Sequence, residues 1–225
     1  MTLDRAFATR THIPLLFLST FDCPADSKQM QFYARKLPSD IGRWSSTLPF
    51  HVTQGALSAN TLTNREIGEQ FQADYILTGD LQLLDEGIRA SVVISHARGG
   101  RQLWARTYQL DGADTSMLID KLAGNIAIAV ALSFDQFERE RLKDVPEDQL
   151  DAWGLTARSM GLSVRTDQEA REWLRIGRLA VKRDEDCAEA HANLANGILA
   201  ILLASFDCDI SDEDLKREAL HHCDR

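Results

Sequence analysis

Between Tyr75 and Leu110 the chain runs through three segments of alternating apolar and polar residues, separated by short polar breaks that contain glycine. Tyr75, Leu77, Gly79, Leu81 and Leu83 mark the first; Ile88, Ala90, Val92 and Ile94 alternate with Arg89, Ser91, Val93 and Ser95 in the second; Leu103 to Leu110 is the third. Period-two apolarity gives a strand one buried and one wet face. The breaks Asp85-Glu-Gly87 and Arg98-Gly-Gly100 suit tight antiparallel connections, so a three-stranded meander is expected here.

The rest of the first two thirds supplies the partners such a sheet needs. Ile13 to Phe21 is largely apolar and reads as a buried first strand. From Asp26 to Ser46, Met30, Phe32, Tyr33, Leu37, Ile41 and Trp44 recur at helical spacing around Pro38, which predicts one kinked helix or two short ones. Leu48 to Ala56 carries a second strand, and Thr63 to Phe71 a short helix capped by Thr63 or Asn64. From Asp114 to about Phe137, Leu118, Leu122, Ile126, Ala129, Val130, Phe134 and Phe137 place an apolar stripe along one long helix. The order βαβαβββα predicts a layered α/β domain with a mixed sheet over residues 1–145. Pro146, within the polar run Lys143 to Gln149, marks the boundary, and residues 146–225 read as all-helical.

Charge and composition exclude several classes. Of 225 residues, 25 are Lys or Arg and 34 Asp or Glu, a net charge of −9, which lacks the electrostatic footprint of a nucleic-acid or anionic-membrane binder. No continuous apolar run approaches the roughly 20 residues of a membrane span; Ile198 to Phe206 is too short. The four cysteines show no C-x-x-C spacing and read as reduced thiols of a cytoplasmic protein. Arg5 and Arg10, the apolar run and Cys23 imitate a bacterial lipoprotein signal, but Phe21-Asp22 is poor for cleavage, and the strand reading is preferred.

Chemistry-bearing motifs are sparse. There is no G-x-G-x-x-G, G-x-x-x-x-G-K, G-x-S-x-G or H-E-x-x-H, and the six histidines are scattered or in tandem. His221 and His222 point about 100° apart on a helix, so His221-His-Cys223 reads as a surface and core pair rather than a metal centre. Asp207, Asp209, Ser211 and Glu218 take EF-hand ligand positions, yet Asp212 stands where that loop needs glycine. A helix start capped by Ser211 is the preferred reading. No catalytic residue, metal or cofactor is expected, and no enzymatic activity of this region.

In the helical part, two units line up at a period of about 34 residues and resemble tetratricopeptide (TPR) helix pairs, with Leu194, Ala195 and Ile198 at packing positions. The second unit stops part-way, so the chain is expected to be truncated at its C-terminus. Arg158 and Asn193 occupy positions that clamp a terminal carboxylate in peptide-binding relatives of such repeats; with Asn196 they form the candidate peptide or partner site.

At Ala73-Asp-Tyr-Ile-Leu-Thr-Gly-Asp-Leu81, Gly87 to Ile94 and Gly100-Arg-Gln-Leu-Trp-Ala-Arg-Thr-Tyr108 the chain resembles the TolB amino-terminal-like domain that precedes TPR repeats in bacterial class III adenylate cyclases and OmpR/CadC-type winged-helix transcriptional regulators. Leu77, Gly79, Leu103, Trp104, Ala105 and Tyr108 carry the match, whereas Thr78 and Asp80 depart from it. The resemblance implies a cytoplasmic, non-catalytic signal-transduction region that couples a protein or peptide partner, a second copy or a small effector to an attached output domain. The alternative is an envelope-associated, lipid-anchored interaction protein using Cys23; an unrecognised enzyme is third.

Overall fold

The structure, a computed structural model, describes residues 13–45, 50–58 and 62–224, with only the backbone of 56–58 and 135. These pack as two compact units, Ile13–Phe134 and a second running from Asp135 onward.

The first unit is built on a five-stranded sheet of β1 (Leu15–Thr20), β2 (His51–Ser58), β3 (Tyr75–Leu84), β4 (Gly87–His96) and β5 (Gln102–Asp111), in spatial order β2-β1-β3-β4-β5. β1 pairs in parallel with both β2 and β3, and β3, β4 and β5 form the antiparallel meander that the alternation predicts. As the central strand of the parallel half, β1 is covered on both faces, which accounts for its unbroken run of Leu16, Phe17 and Leu18, all fully buried. Each such side chain contributes about 1.5–3 kcal/mol on leaving water. Leu15 N–H donates to Asp74 Oδ2 at 3.0 Å and Asp74 N–H donates to Leu15 O at 2.9 Å, fixing the start of β1 against β3. At the β4–β5 connection Gly100 has φ +60°, the left-handed region that glycine enters without strain.

Helices cover both faces of the parallel half. α1 (Lys28–Trp44) begins at Ser27, whose hydroxyl accepts from Met30 N–H, and packs on the Leu18 and Val52 side at Gly42. Pro38 lies inside it, and the helix is continuous rather than split in two. α2 (Asn64–Phe71) starts with a capping box between Thr63 and Glu66 and lays Ile67 and Phe71 on Phe17 and Ile76 of the opposite face. α3 (Thr115–Leu142) returns to the α1 side, where Phe134 stacks on Phe50 at 4.1 Å and meets Tyr75 edge-on at 4.6 Å.

The second unit takes the end of α3, a 3-10 turn (Glu147–Gln149), and α4 (Ala152–Met160), α5 (Asp167–Arg183), α6 (Ala188–Ala204) and α7 (Asp212–Cys223). Each of the last four packs on the next. Its core joins Ala170, Trp173, Leu174, Leu194, Ile198, Ile201, Cys208 and Leu215. The Trp173 ring lies so close to Gly197 that a Cβ there would fall 1.8 Å from it, so this α5–α6 contact needs glycine. An α/β layer and an all-helical region are thus present; assignment of the helices as TPR repeats is not confirmed.

α3 is long and apolar enough to cross a membrane by length and composition, with a mean hydropathy of 1.6 over its most apolar window, 44% of which is buried. A search for continuous apolar runs misses it because charged and amide residues, Asp120, Lys121 and Asn125, interrupt it.

Candidate functional site

α3 carries two apolar faces, not one. Its inner face, Ile119, Leu122, Ile126 and Val130, is fully buried. Some 180° around the helix, Met117, Gly124, Ile128 and Leu132 recur at seven, four and four residues, which superposes them on an outer stripe. Ile128 is 64% exposed and Leu132 72% exposed. Trp44, at the end of α1 and 58% exposed, reaches this stripe, its Cε2 3.8 Å from where a Gly124 Cβ would stand. The absence of a side chain at Gly124 lets the indole lie against the helix there, and Ile128 and Leu132 continue the same apolar stripe one and two turns further on, a line referred to below as the ridge.

Polar groups frame that ridge. Lys36 Nζ is 2.6 Å from Asp40 Oδ2 and 3.6 Å from Asp120 Oδ1, linking α1 to α3, and Arg43 Nη2 adds a 3.1 Å contact to Asp40 Oδ1. The hydrogen bond to Asp40 raises the Lys36 pKa, which keeps the ammonium charged. An apolar centre with charged residues at its margin is the anatomy of a protein-docking surface. Sequence reasoning assigned only the inner stripe of α3. The outer one was legible as Ile128 and Leu132 four residues apart, but its continuation through Gly124 to Trp44 depends on tertiary contact.

The three candidate residues of the helical unit are placed differently. Arg158 Nη2 donates to the backbone carbonyls of Leu142 at 2.8 Å and Val145 at 2.5 Å, satisfying acceptors at the end of α3. Asn193 Nδ2 donates to Ser159 Oγ at 2.8 Å, tying α6 to α4, while Asn196 is exposed. Peptide capture by these residues would require Arg158 to exchange its carbonyl partners for the ligand. Ser211 caps α7 by accepting from Asp214 N–H at 3.2 Å, as the helix-start reading expects, and Glu218 turns to Arg178 rather than toward Asp207 and Asp209. Among the described residues no group of three metal-binding side chains converges.

Cys23 sits just beyond β1, where Asp22 bridges to Asp80 of β3: Asp22 N–H donates to Gly79 O and Leu81 N–H to Asp22 O, both at 2.8 Å. Burial, then the Asp22 charge, raises the thiol pKa. Cleavage before Cys23 would remove β1, the strand that both β2 and β3 pair with, so lipid attachment at this cysteine is incompatible with the sheet. Arg5 and Arg10, the rest of that signal reading, lie outside the described residues.

No family model and no curated protein sequence matches the chain. Among solved structures, the L103M PelC dodecamer protein of Paraburkholderia phytofirmans is similar at 10% identity and TM-score 0.44, over 54% of this chain and 91% of that one. Protein XCC0632 of Xanthomonas campestris, from family-model DUF330, aligns at 11% identity and TM-score 0.43, over 57% and 90%. Lipoprotein GNA1162 of Neisseria meningitidis aligns at 12% identity and TM-score 0.40, over 53% and 99%. TolB of Acinetobacter baumannii aligns only in part, at 12% identity and TM-score 0.37 over 54% of this chain and 28% of that one. The expected kinship with TPR-bearing adenylate cyclases and winged-helix regulators is corrected, since the neighbours named are none of these, and the cytoplasmic signalling role falls with it.

Proposed function

We propose that the chain is a non-catalytic interaction protein associated with the cell envelope, and that it works by docking a protein partner on the ridge of Trp44, Ile128 and Leu132. The observation that carries this reading is the exposure of Ile128 and Leu132 on a helix whose opposite face is already saturated with core contacts. Large apolar side chains left in water on a rigid element gain about 1.5–3 kcal/mol each when a partner covers them, and a tryptophan beside them is the residue type that anchors such contacts. Lipid on Cys23 forms no part of the proposal.

The test is a photo-crosslinking residue placed in turn at Ile128, Leu132 and, as a control on the polar sheet face, Thr107, in cells of the native host that are then fractionated. Discrete adducts from positions 128 and 132 in the envelope fraction, absent from 107, are expected. Recovery of the chain with cytosolic markers, or equal labelling from all three positions, overturns the reading.

A further inference from the structure

His191 on α6 and His222 on α7 face each other through their Nδ1 atoms at 2.8 Å, although 31 residues apart. Their protonation follows from the surroundings. His191 Nε2 lies 2.9 Å from the carbonyl oxygen of Glu185, which can only accept, so Nε2 carries the hydrogen and Nδ1 of the neutral ring is a lone pair. His222 Nδ1 must then be the donor of the pair. His191 is buried, and a cavity of about 410 Å³ opens beside it, lined by Arg178, Lys182, Glu185, His191, His221 and His222 among others.

We propose that this pair is a proton-sensitive latch that holds the last turn of α7 on α6 at neutral pH and lets it go in mild acid, opening the cavity. Two neutral rings share one hydrogen in a direct bond. One added proton is tolerated, because a charged His222 still donates to His191; a second removes the acceptor and sets two N–H groups and two charges face to face. The charged groups around the pair set the balance. Arg178 and Lys182 of α5 and His221 of α7 oppose added charge, whereas Glu185 and Glu218 favour it. Arg178 is itself held by Glu218 in a two-pronged pair, Nε at 2.8 Å and Nη2 at 2.6 Å. Burial first, then the neighbouring His191 charge, keeps the His222 pKa below its ordinary value.

The sign follows from linkage. Below the ordinary histidine value of about 6.5 the released helix end binds more protons than the docked one, so docking weakens as pH falls through that value and below. Leu215 stays in the core through this step, since nothing that titrates there holds it. The Arg178–Glu218 pair contains neither ring and stays in place through this step.

Amide hydrogen exchange of the whole chain at pH 7.5 and 5.0, corrected for intrinsic rates, tests the latch. Protection of residues 219–223 is expected to fall about tenfold or more while that of the Leu194–Ile198 segment holds. His222→Asn has no titrating ring and can offer His191 either an amide N–H or a carbonyl oxygen, so its protection should be independent of pH over this range; His221→Asn should leave the wild-type response in place. Equal protection of 219–223 at both pH values, or the same acid loss in His222→Asn, overturns the proposal.

Discussion

The backbone N–H of Phe21 donates to the carbonyl of Ala34 at 3.2 Å, the acceptor that Pro38, four residues further on, has no N–H to meet. The vacancy a proline leaves inside a helix is filled here from the segment that follows β1, so α1 remains continuous and is pinned to the sheet at the same point. The Phe21 ring extends this contact across β3. A Cβ on Gly79 would lie 2.5 Å from its Cε1 and 2.6 Å from Ser91 O.

Gly79→Ala is therefore expected to destabilise the chain by about 1–3 kcal/mol in urea unfolding, the cost of overpacking a close contact. Gly99→Ala, where a Cβ meets nothing within 4 Å, should change stability by less than about 0.5 kcal/mol. Equal effects would show that Phe21 does not sit where described.

Gly197→Ala drives a methyl into the Trp173 ring and should lower the stability of the helical unit by about 1–3 kcal/mol. The loss is specific to that ring, so in a Trp173→Leu background the same change should cost much less. A double-mutant cycle by thermal unfolding reads the coupling, and additive losses would contradict the contact.

Two ion pairs near the end of α3 separate burial from charge. Arg141 and Glu138 meet at 2.5 Å with side chains 6% and 4% exposed, whereas Lys143 and Glu140 meet at the same distance with 53% and 66% exposed. Glu138→Ala removes a buried charge partner of Arg141 and should cost clearly more than Glu140→Ala, which should cost at most about 1 kcal/mol. Chemical denaturation of both variants gives the comparison.

Intact-mass measurement of the chain from its native host should find Cys23 without a lipid, and Cys23→Ser should leave its distribution among cell fractions unchanged. A diacylglyceryl adduct on Cys23 would show that β1 is dispensable, against its central place in the sheet.

The meander was legible because strand alternation is a local signal, and Tyr75 to Leu110 carries it with little interruption. The short helix was legible for the same reason, in the Thr63 and Glu66 capping pair. The parallel order β2-β1-β3 was not, since nothing local in Leu15–Thr20 specifies which strands flank it. Pro38 was read as a kink or break because the rescuing donor, Phe21 N–H, comes from another element. Arg158 presented itself as a fork for a ligand, yet its spacing says nothing of the carbonyls of Leu142 and Val145 that it meets. His222 was weighed against its neighbour His221, whereas its bonded partner is His191 on another helix. The ridge was half visible: Ile128 and Leu132 lie in sequence order, but Trp44 joins them only through the fold.

The most direct measurement is the native size of the chain extracted from its host, by gel filtration with light scattering, for the wild type and for Ile128→Asp combined with Leu132→Asp. The wild type should elute in an assembly heavier than the 25.2 kDa chain and the variant at the mass of a single chain, with the same melting temperature for both. If wild type and variant both run as single chains, or share one larger size, the ridge is not where this protein meets its partner.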